Sequence, residues 1–209
     1  MHVQKIASEL SKYKTTIVED LSAGKFQHFD TYFKIGEKFA AGDFGTEFRS
    51  KFRKFYAVRG MNGPQIDKFF QLFASSEDDL KTILLCLQKI PGRKGPGKIH
   101  FSFSTKLLHT KTVTLPIYDE RLRSVLGLPR QLQTGSVDEK IYDRIAIYET
   151  LKEISKTLLT DSNIVSHLKS IRAELASKAA RENFLWQNSL LSEQKLLDSV
   201  LWALYQITK

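Results

Sequence analysis

With 209 residues, 42% of them hydrophobic, the chain is long enough and apolar enough to bury a full core, which excludes a disordered class. Its formal net charge of +9 favours polyanionic partners over acidic-surface functions. The single cysteine excludes an intrachain disulfide, and no apolar run approaches the roughly 18 residues that a membrane helix needs. The start of the chain, Met1-His-Val-Gln-Lys5, lacks a signal-peptide core, so a cytoplasmic protein without membrane contact is expected.

Taken in chain order, the pattern is helical throughout. Phe44, Phe48, Phe52 and Phe55 recur at helical spacing and predict one apolar face, with Arg49, Arg53 and Lys54 outward. Asn62 followed by Pro64 reads as a cap and an early-turn proline. Ser75-Ser-Glu-Asp-Asp79 predicts the opening of a helix reaching Ile90, with acids in its first turn and Cys86 as a buried, inert thiol. After a Gly/Pro-rich loop, 101–109 reads as a short amphipathic helix. Val113-Thr-Leu115, stopped by Pro116, reads as an extended connection rather than a strand. Asp119 begins a helix ending at Gly127, with Leu122, Val125 and Leu126 inward. Ser136-Val-Asp-Glu139 is a capping box before 141–159. Asp161 or Ser162 opens the next helix, and Ser192 opens the last, which ends near Ile207. Trp186 and Trp202 read as core. The fold class is therefore all-α: eight to ten helices, essentially no sheet, and a single domain over 1–209 that allows two lobes.

Charge is concentrated. Between Lys89 and Arg130, nine basic residues face two acidic ones, Asp119 and Glu120, and Arg49, Lys51, Arg53, Lys54 and Arg59 form an earlier basic run. A solvated face explains such runs as readily as a polyanion site does. The loop Pro91-Gly-Arg-Lys-Gly-Pro-Gly97 can turn tightly and bring bare backbone amides to a phosphate, with Arg93, Lys94 and Lys98 adding charge. Its plainer reading is a helix connection. Asp119, at a helix start, has an ordinary role as an N-cap worth about 1 kcal/mol. The histidines at 2, 28, 100, 109 and 167 show no metal spacing, and His109 ends a helix whose dipole it can face. No metal or cofactor is expected.

The succession of a glycine-containing turn, a helix, an apolar segment and Pro116-Ile-Tyr-Asp119 heading an Arg-bearing helix resembles the helix-hairpin-helix DNA glycosylases over roughly 45–130. Ile90-Pro-Gly92 is similar to the start of the hairpin. Asp119-Glu-Arg-Leu-Arg-Ser-Val-Leu-Gly127 is similar to the helix headed by the family's essential aspartate. The resemblance implies duplex DNA as partner, extrusion of a damaged base and cleavage of its N-glycosidic bond, with Asp119 as the catalytic carboxylate. It implies a DNA-gripping element around 89–130, made of Gly92, Arg93, Lys94, Gly95, Gly97, Lys98, Arg121 and Arg123. After Gly92 the turn is longer than the family's; if Gly97 is taken as the hairpin glycine instead, the distance to Asp119 suits the family better and the position of the lyase lysine falls on Phe101. Lys98 and Lys106 are the nearby candidates for a nucleophilic amine, each with a phosphate contact or plain surface charge as the alternative. A non-catalytic DNA-binding module of the same architecture is the competing reading, and a helical protein docking an acidic partner is a third.

Overall fold

A computed structural model describes residues 3–92, 95 and 97–209. Nine α-helices occur among them: α1 (Val3–Ala40), α2 (Thr46–Phe55), α3 (Gly63–Ala74), α4 (Leu80–Gln88), α5 (Phe101–Lys111), α6 (Glu120–Leu126), α7 (Val137–Thr160), α8 (Ser162–Arg181) and α9 (Glu193–Ile207). No strand forms among the described residues, so the all-α expectation holds. None of the described helices is long and apolar enough to cross a membrane.

Local chemistry sets most boundaries. Asn62 and Gln65 form a reciprocal capping box with Pro64 in the first turn of α3, and Ser136 and Glu139 do the same for α7. Asp161 caps α8 and Ser192 caps α9. The acidic run before α4 acts differently from expectation. Asp79 is the N-cap, accepting from Thr82 N at 2.7 Å, so Glu77 and Asp78 precede the helix, which closes at Gln88. Cys86 is a free thiol, half-buried rather than buried.

One feature of α1 has no counterpart in the sequence reading. Gly24, Lys25 and Phe26 all take left-handed backbone angles, φ +60°, +55° and +61°. For an L-residue this costs about 1–2 kcal/mol. The Phe26 ring offsets that cost: it is fully buried, stacked on Phe184 at 5.0 Å and edge-on to Trp186 at 5.9 Å. The break redirects the chain, so that Gln27, His28 and Thr31 face a cavity rather than continuing the first half of the helix.

Buried apolar side chains from Ile6 to Leu204 form one connected core. The last helix, α9, runs through its middle, against α1, α6, α7 and α8, and is buried on nearly every side from Gln194 to Leu204. Phe48 and Phe52 of the aromatic stripe are fully buried, whereas Phe44 and Phe55 are half-buried at its ends.

Residues 89–100 connect α4 to α5. The cap residues of α3 hold the loop: Gln65 Nε2 donates to Ile90 O at 3.1 Å and Asn62 Nδ2 to Pro91 O at 2.7 Å. Gly92 N donates to Gly95 O at 2.9 Å, closing the turn on itself. Arg93, Lys94 and Pro96 lie outside the described residues. Gly97 passes so close to the end of α4 that a Cβ there would lie 1.8 Å from Gln88 O and 2.5 Å from Ile90 O.

Candidate active site

Asp119 stands where the sequence puts it, at the N-cap of α6, with Oδ1 accepting from Arg121 N at 2.9 Å. Gly127, at φ +64°, closes that helix in the left-handed region, and Leu122 and Leu126 are buried beneath it while Val125 is half-buried.

The segment before Asp119 is pinned by four hydrogen bonds from three helices, α5, α7 and α9. His109 Nδ1 of α5 lies 2.7 Å from Leu115 O, and Tyr148 OH of α7 donates to Pro116 O at 3.1 Å. Ile117 N donates to Asp198 Oδ2 of α9 at 3.2 Å, and Tyr118 N to Thr105 Oγ1 of α5 at 3.0 Å. The carboxylate of Asp119 is therefore fixed by its backbone as well as by its cap, which is the support a reactive group needs.

Asp119 opens onto a cleft of about 740 Å³. Its floor is built from α5, α9 and the end of α2. Lys106 Nζ of α5 is buried and donates to Tyr56 O at 3.2 Å. Lys195 Nζ of α9 sits in an aromatic cage, 5.1 Å from the ring centre of Tyr32, 5.3 Å from that of Phe55 and 6.0 Å from that of Tyr56. One turn along α9, Asp198 is 4% exposed and accepts from Gln194 Nε2 at 2.8 Å as well as from Ile117 N. Three residues that line this cleft carry a buried polar atom with no hydrogen-bond partner among the described residues: Ser199 Oγ, His28 Nε2 and Tyr56 OH. The mouth carries Lys34, Lys51, Lys54 and Arg121 beside Asp20 and Asp30. Lys34 Nζ pairs with Asp30 at 2.7 Å and Lys51 Nζ with Glu47 at 3.2 Å, while Arg121 lies 4.4 Å over the ring of Trp202.

Burial dominates the electrostatics. It lowers the pKa of Lys106, against the opposing pull of the Asp119 charge. It also lowers that of Lys195 and raises that of Asp198, each opposed by the other's charge, so both are driven toward their neutral forms. Buried amines beside fixed carboxylates in a cleft are the arrangement that tunes lysine for nucleophilic or acid–base work. No protein-family model matches this chain, and neither does any curated protein or any solved structure.

Of the residues singled out by sequence, Asp119, Lys106 and Arg121 are brought together in the cleft. Lys98 is exposed and does not line it. Arg123 is occupied within its own helix, with Nε on Glu120 Oε1 at 2.6 Å and Nη1 on Leu128 O at 3.2 Å. Gly92, Gly95 and Gly97 lie on the α4–α5 loop. The Gly92 amide is spent on Gly95 O rather than held out for a phosphate, and Gly97 answers to the close approach of α4. Arg93 and Lys94 lie outside the described residues. Trp202, read as core, is half-buried and lines the cleft.

Lys195 and Asp198 escaped the sequence reading, which took the last helix as an apolar lobe closure. Their signal was available: on a helix that is otherwise apolar, Lys195, Asp198 and Trp202 recur at i, i+3 and i+7 and so share one face. Among the described residues no three His, Cys, Asp or Glu side chains gather as a metal site.

His109 differs from expectation in a way that can be measured. It is fully buried rather than exposed to a helix dipole, and burial, aided by the Lys195 charge, pushes its pKa down to about 3. It is neutral: Nδ1–H donates to Leu115 O, and Nε2 faces Tyr32 OH at 3.3 Å. A depressed folded-state pKa gives stability that is complete above the unfolded value, near 6.5, and lost as pH falls toward 3. At pH 5 the loss from His109 alone is about 2 kcal/mol. His28, pushed down to about 3, and His100, pushed down to about 4, act in the same direction, both chiefly through burial. The melting temperature is expected to fall between pH 7 and pH 5, and His109→Gln to flatten that dependence. An equally steep fall in the variant would refute the assignment.

Proposed function

We propose that this protein is a DNA glycosylase-like enzyme: it binds duplex DNA, draws a damaged base into the cleft and cleaves the N-glycosidic bond with Asp119. The observation that carries the reading is the meeting of Asp119, Lys106, Lys195 and Asp198 in one cleft with a basic mouth. Departure of a base leaves positive charge on the sugar, and a fixed carboxylate stabilises that charge and directs the attacking group. Lys106 and Lys195 supply amines for attack on the sugar or for the proton that the departing base takes. The aromatic walls, Phe55, Tyr56 and Trp202, suit a flat extruded base, while Lys54 and Arg121 suit the flanking phosphates, joined by Lys34 and Lys51 where a phosphate displaces Asp30 and Glu47 from them. The connection from α4 to α5 takes the place of the hairpin in this reading.

The competing view is a DNA-binding module without chemistry. The buried amines argue against it, because desolvating a charged group costs several kcal/mol and a surface binding site does not require it.

The deciding experiment is a cleavage screen on duplexes carrying different damaged bases, with heat and alkali treatment so that simple base loss is also detected. Excision from at least one duplex is expected. Failure on all of them, with DNA binding retained, would leave the binding module. Binding itself is expected to weaken with salt, with a log–log slope of roughly −4 to −5 if four to six phosphates are contacted. Lys51→Glu combined with Lys54→Glu should lower affinity several-fold and flatten that slope by about 2. An unchanged slope would move the DNA path away from the cleft mouth.

A further inference from the structure

A short relay of hydrogen bonds links the packed core to the carboxylate of Asp119. It begins on α9, which is buried on nearly every side from Gln194 to Leu204. Gln194 and Asp198 stand one turn apart on this helix, 3% and 4% exposed. Gln194 Nε2 donates to Asp198 Oδ1 at 2.8 Å, and Ile117 N donates to Asp198 Oδ2 at 3.2 Å. Each carboxylate oxygen therefore meets a different N–H donor, and the bond from Gln194 sets the side-chain orientation that the bond from Ile117 needs. Ile117 is itself buried, and only Tyr118 separates it from Asp119.

We propose that Asp198 is a positioning residue: by accepting from Ile117 N it holds the Asp119 carboxylate where a deoxyribose must meet it, and Gln194 keeps it in that orientation. This inference rests on the excision reading above and goes beyond it by giving Asp198 a task that needs two acceptor oxygens rather than a charge. The neighbouring anchors of the same segment support that distinction. Tyr118 N is held by the hydroxyl of Thr105 and Pro116 O by that of Tyr148, so neutral groups suffice on either side of Ile117. The leverage is large because the path is short. With one residue between anchor and reactive group, a shift at Ile117 N passes to Asp119, and a misplacement of about 1 Å can cost about 100-fold in rate.

Hydrogen bonding and charge are separable by substitution. Asp198→Asn removes the charge and keeps the shape. Its amide oxygen still accepts from Ile117 N, and its NH2 group donates to Gln194 Oε1 once the Gln194 amide turns over. Gln194→Leu does the converse: it leaves the carboxylate in place and removes the donor that orients it. Asp198→Leu removes both acceptors and leaves the Ile117 amide buried without a partner.

The test is single-turnover excision from a lesion duplex by the full chain, with hydrogen exchange at the Ile117 amide read by NMR on the same proteins. Asp198→Leu is expected to lower the rate about 100-fold and Gln194→Leu about 10-fold, each with DNA affinity within about twofold of the wild type. Asp198→Asn is expected to be at least about tenfold faster than Asp198→Leu. It should also keep the Ile117 amide protected, whereas both leucine variants let it exchange faster. A purely structural defect would instead lower the fraction of active molecules and leave the rate of the remainder unchanged, which overturns the proposal. If Asp198→Leu does not fold, the order of the other two decides. Asp198→Asn slower than Gln194→Leu would mean that Asp198 acts by its charge, and would overturn the proposal, as would a wild-type rate in Gln194→Leu. Either result leaves the enzyme standing. A wild type that excises nothing from any lesion duplex removes the excision reading and the proposal together.

Discussion

Replacing Asp119 by Asn is expected to lower base excision by about 100- to 1,000-fold, the loss seen when a single group that stabilises developing charge is removed. The same change should leave the fold almost untouched. Asparagine caps a helix nearly as well as aspartate, and the one bond at stake, Arg121 N to Asp119 Oδ1 at 2.9 Å, survives with the amide oxygen as acceptor. The stability change is expected below about 1 kcal/mol, a shift of a few degrees in melting temperature for a chain of this length. DNA binding should persist or tighten slightly, because one negative charge beside the phosphates is gone. The cap and the catalytic carboxylate thus make separable demands on one side chain: the cap needs an oxygen, the chemistry needs a charge. Thermal melts, gel shifts and single-turnover excision on the same preparation read all three quantities. Loss of the fold would make Asp119 structural. Full excision by Asp119→Asn would take the carboxylate out of the mechanism.

What could be read from the sequence was what local chemistry decides. The caps at Asn62, Ser136, Asp161 and Ser192 and the left-handed stop at Gly127 depend on a few neighbouring residues, and each sits where its residue type requires. Asp119 belongs to this group, since its position follows from the proline before it and the helix after it. The cleft does not. It needs the break at Gly24-Lys-Phe26, which is held by the distant rings of Phe184 and Trp186, and no local pattern announces three consecutive left-handed residues. It also needs α9 threaded through the core, which turns Lys195 and Asp198 from ordinary helix charges into buried groups facing Asp119. The error at His109 has the same origin. A histidine in the last turn of a helix is normally a surface cation, but this one lies under Tyr32 and the Leu115 carbonyl, and burial removes the charge. Charge counting found the basic character of the middle of the chain. Only packing distinguishes Arg121, at the cleft mouth, from Arg123, two residues on, which is consumed by Glu120 and Leu128.

Gly97→Ala is expected to be the most destabilising single-methyl change in the loop between α4 and α5. A Cβ at this position would lie 1.8 Å from Gln88 O and 2.5 Å from Ile90 O, and both obstacles are backbone. A side chain could rotate away; Gln88 O belongs to the last residue of α4, and Ile90 O, two residues on, is held by Gln65 Nε2. Relief therefore means moving the loop away from α4. Overpacking usually costs 1–3 kcal/mol, and with backbone on the opposing side about 3 kcal/mol or more is expected. That corresponds to a fall of roughly 6–12 °C in melting temperature for a chain of this size. Gly36→Ala is the matched control: it lies in the helical second half of α1 with open space around it, and the change should stabilise by about 0.4–1 kcal/mol. The consequence for function follows from connectivity. The loop leads directly into α5, and α5 carries Lys106 into the cleft and Thr105 and His109 onto the segment that fixes Asp119. A displaced loop should therefore reduce excision in the folded fraction of Gly97→Ala as well as its stability. A variant that melts with the wild type would show that the loop gives way without transmitting the shift to α5.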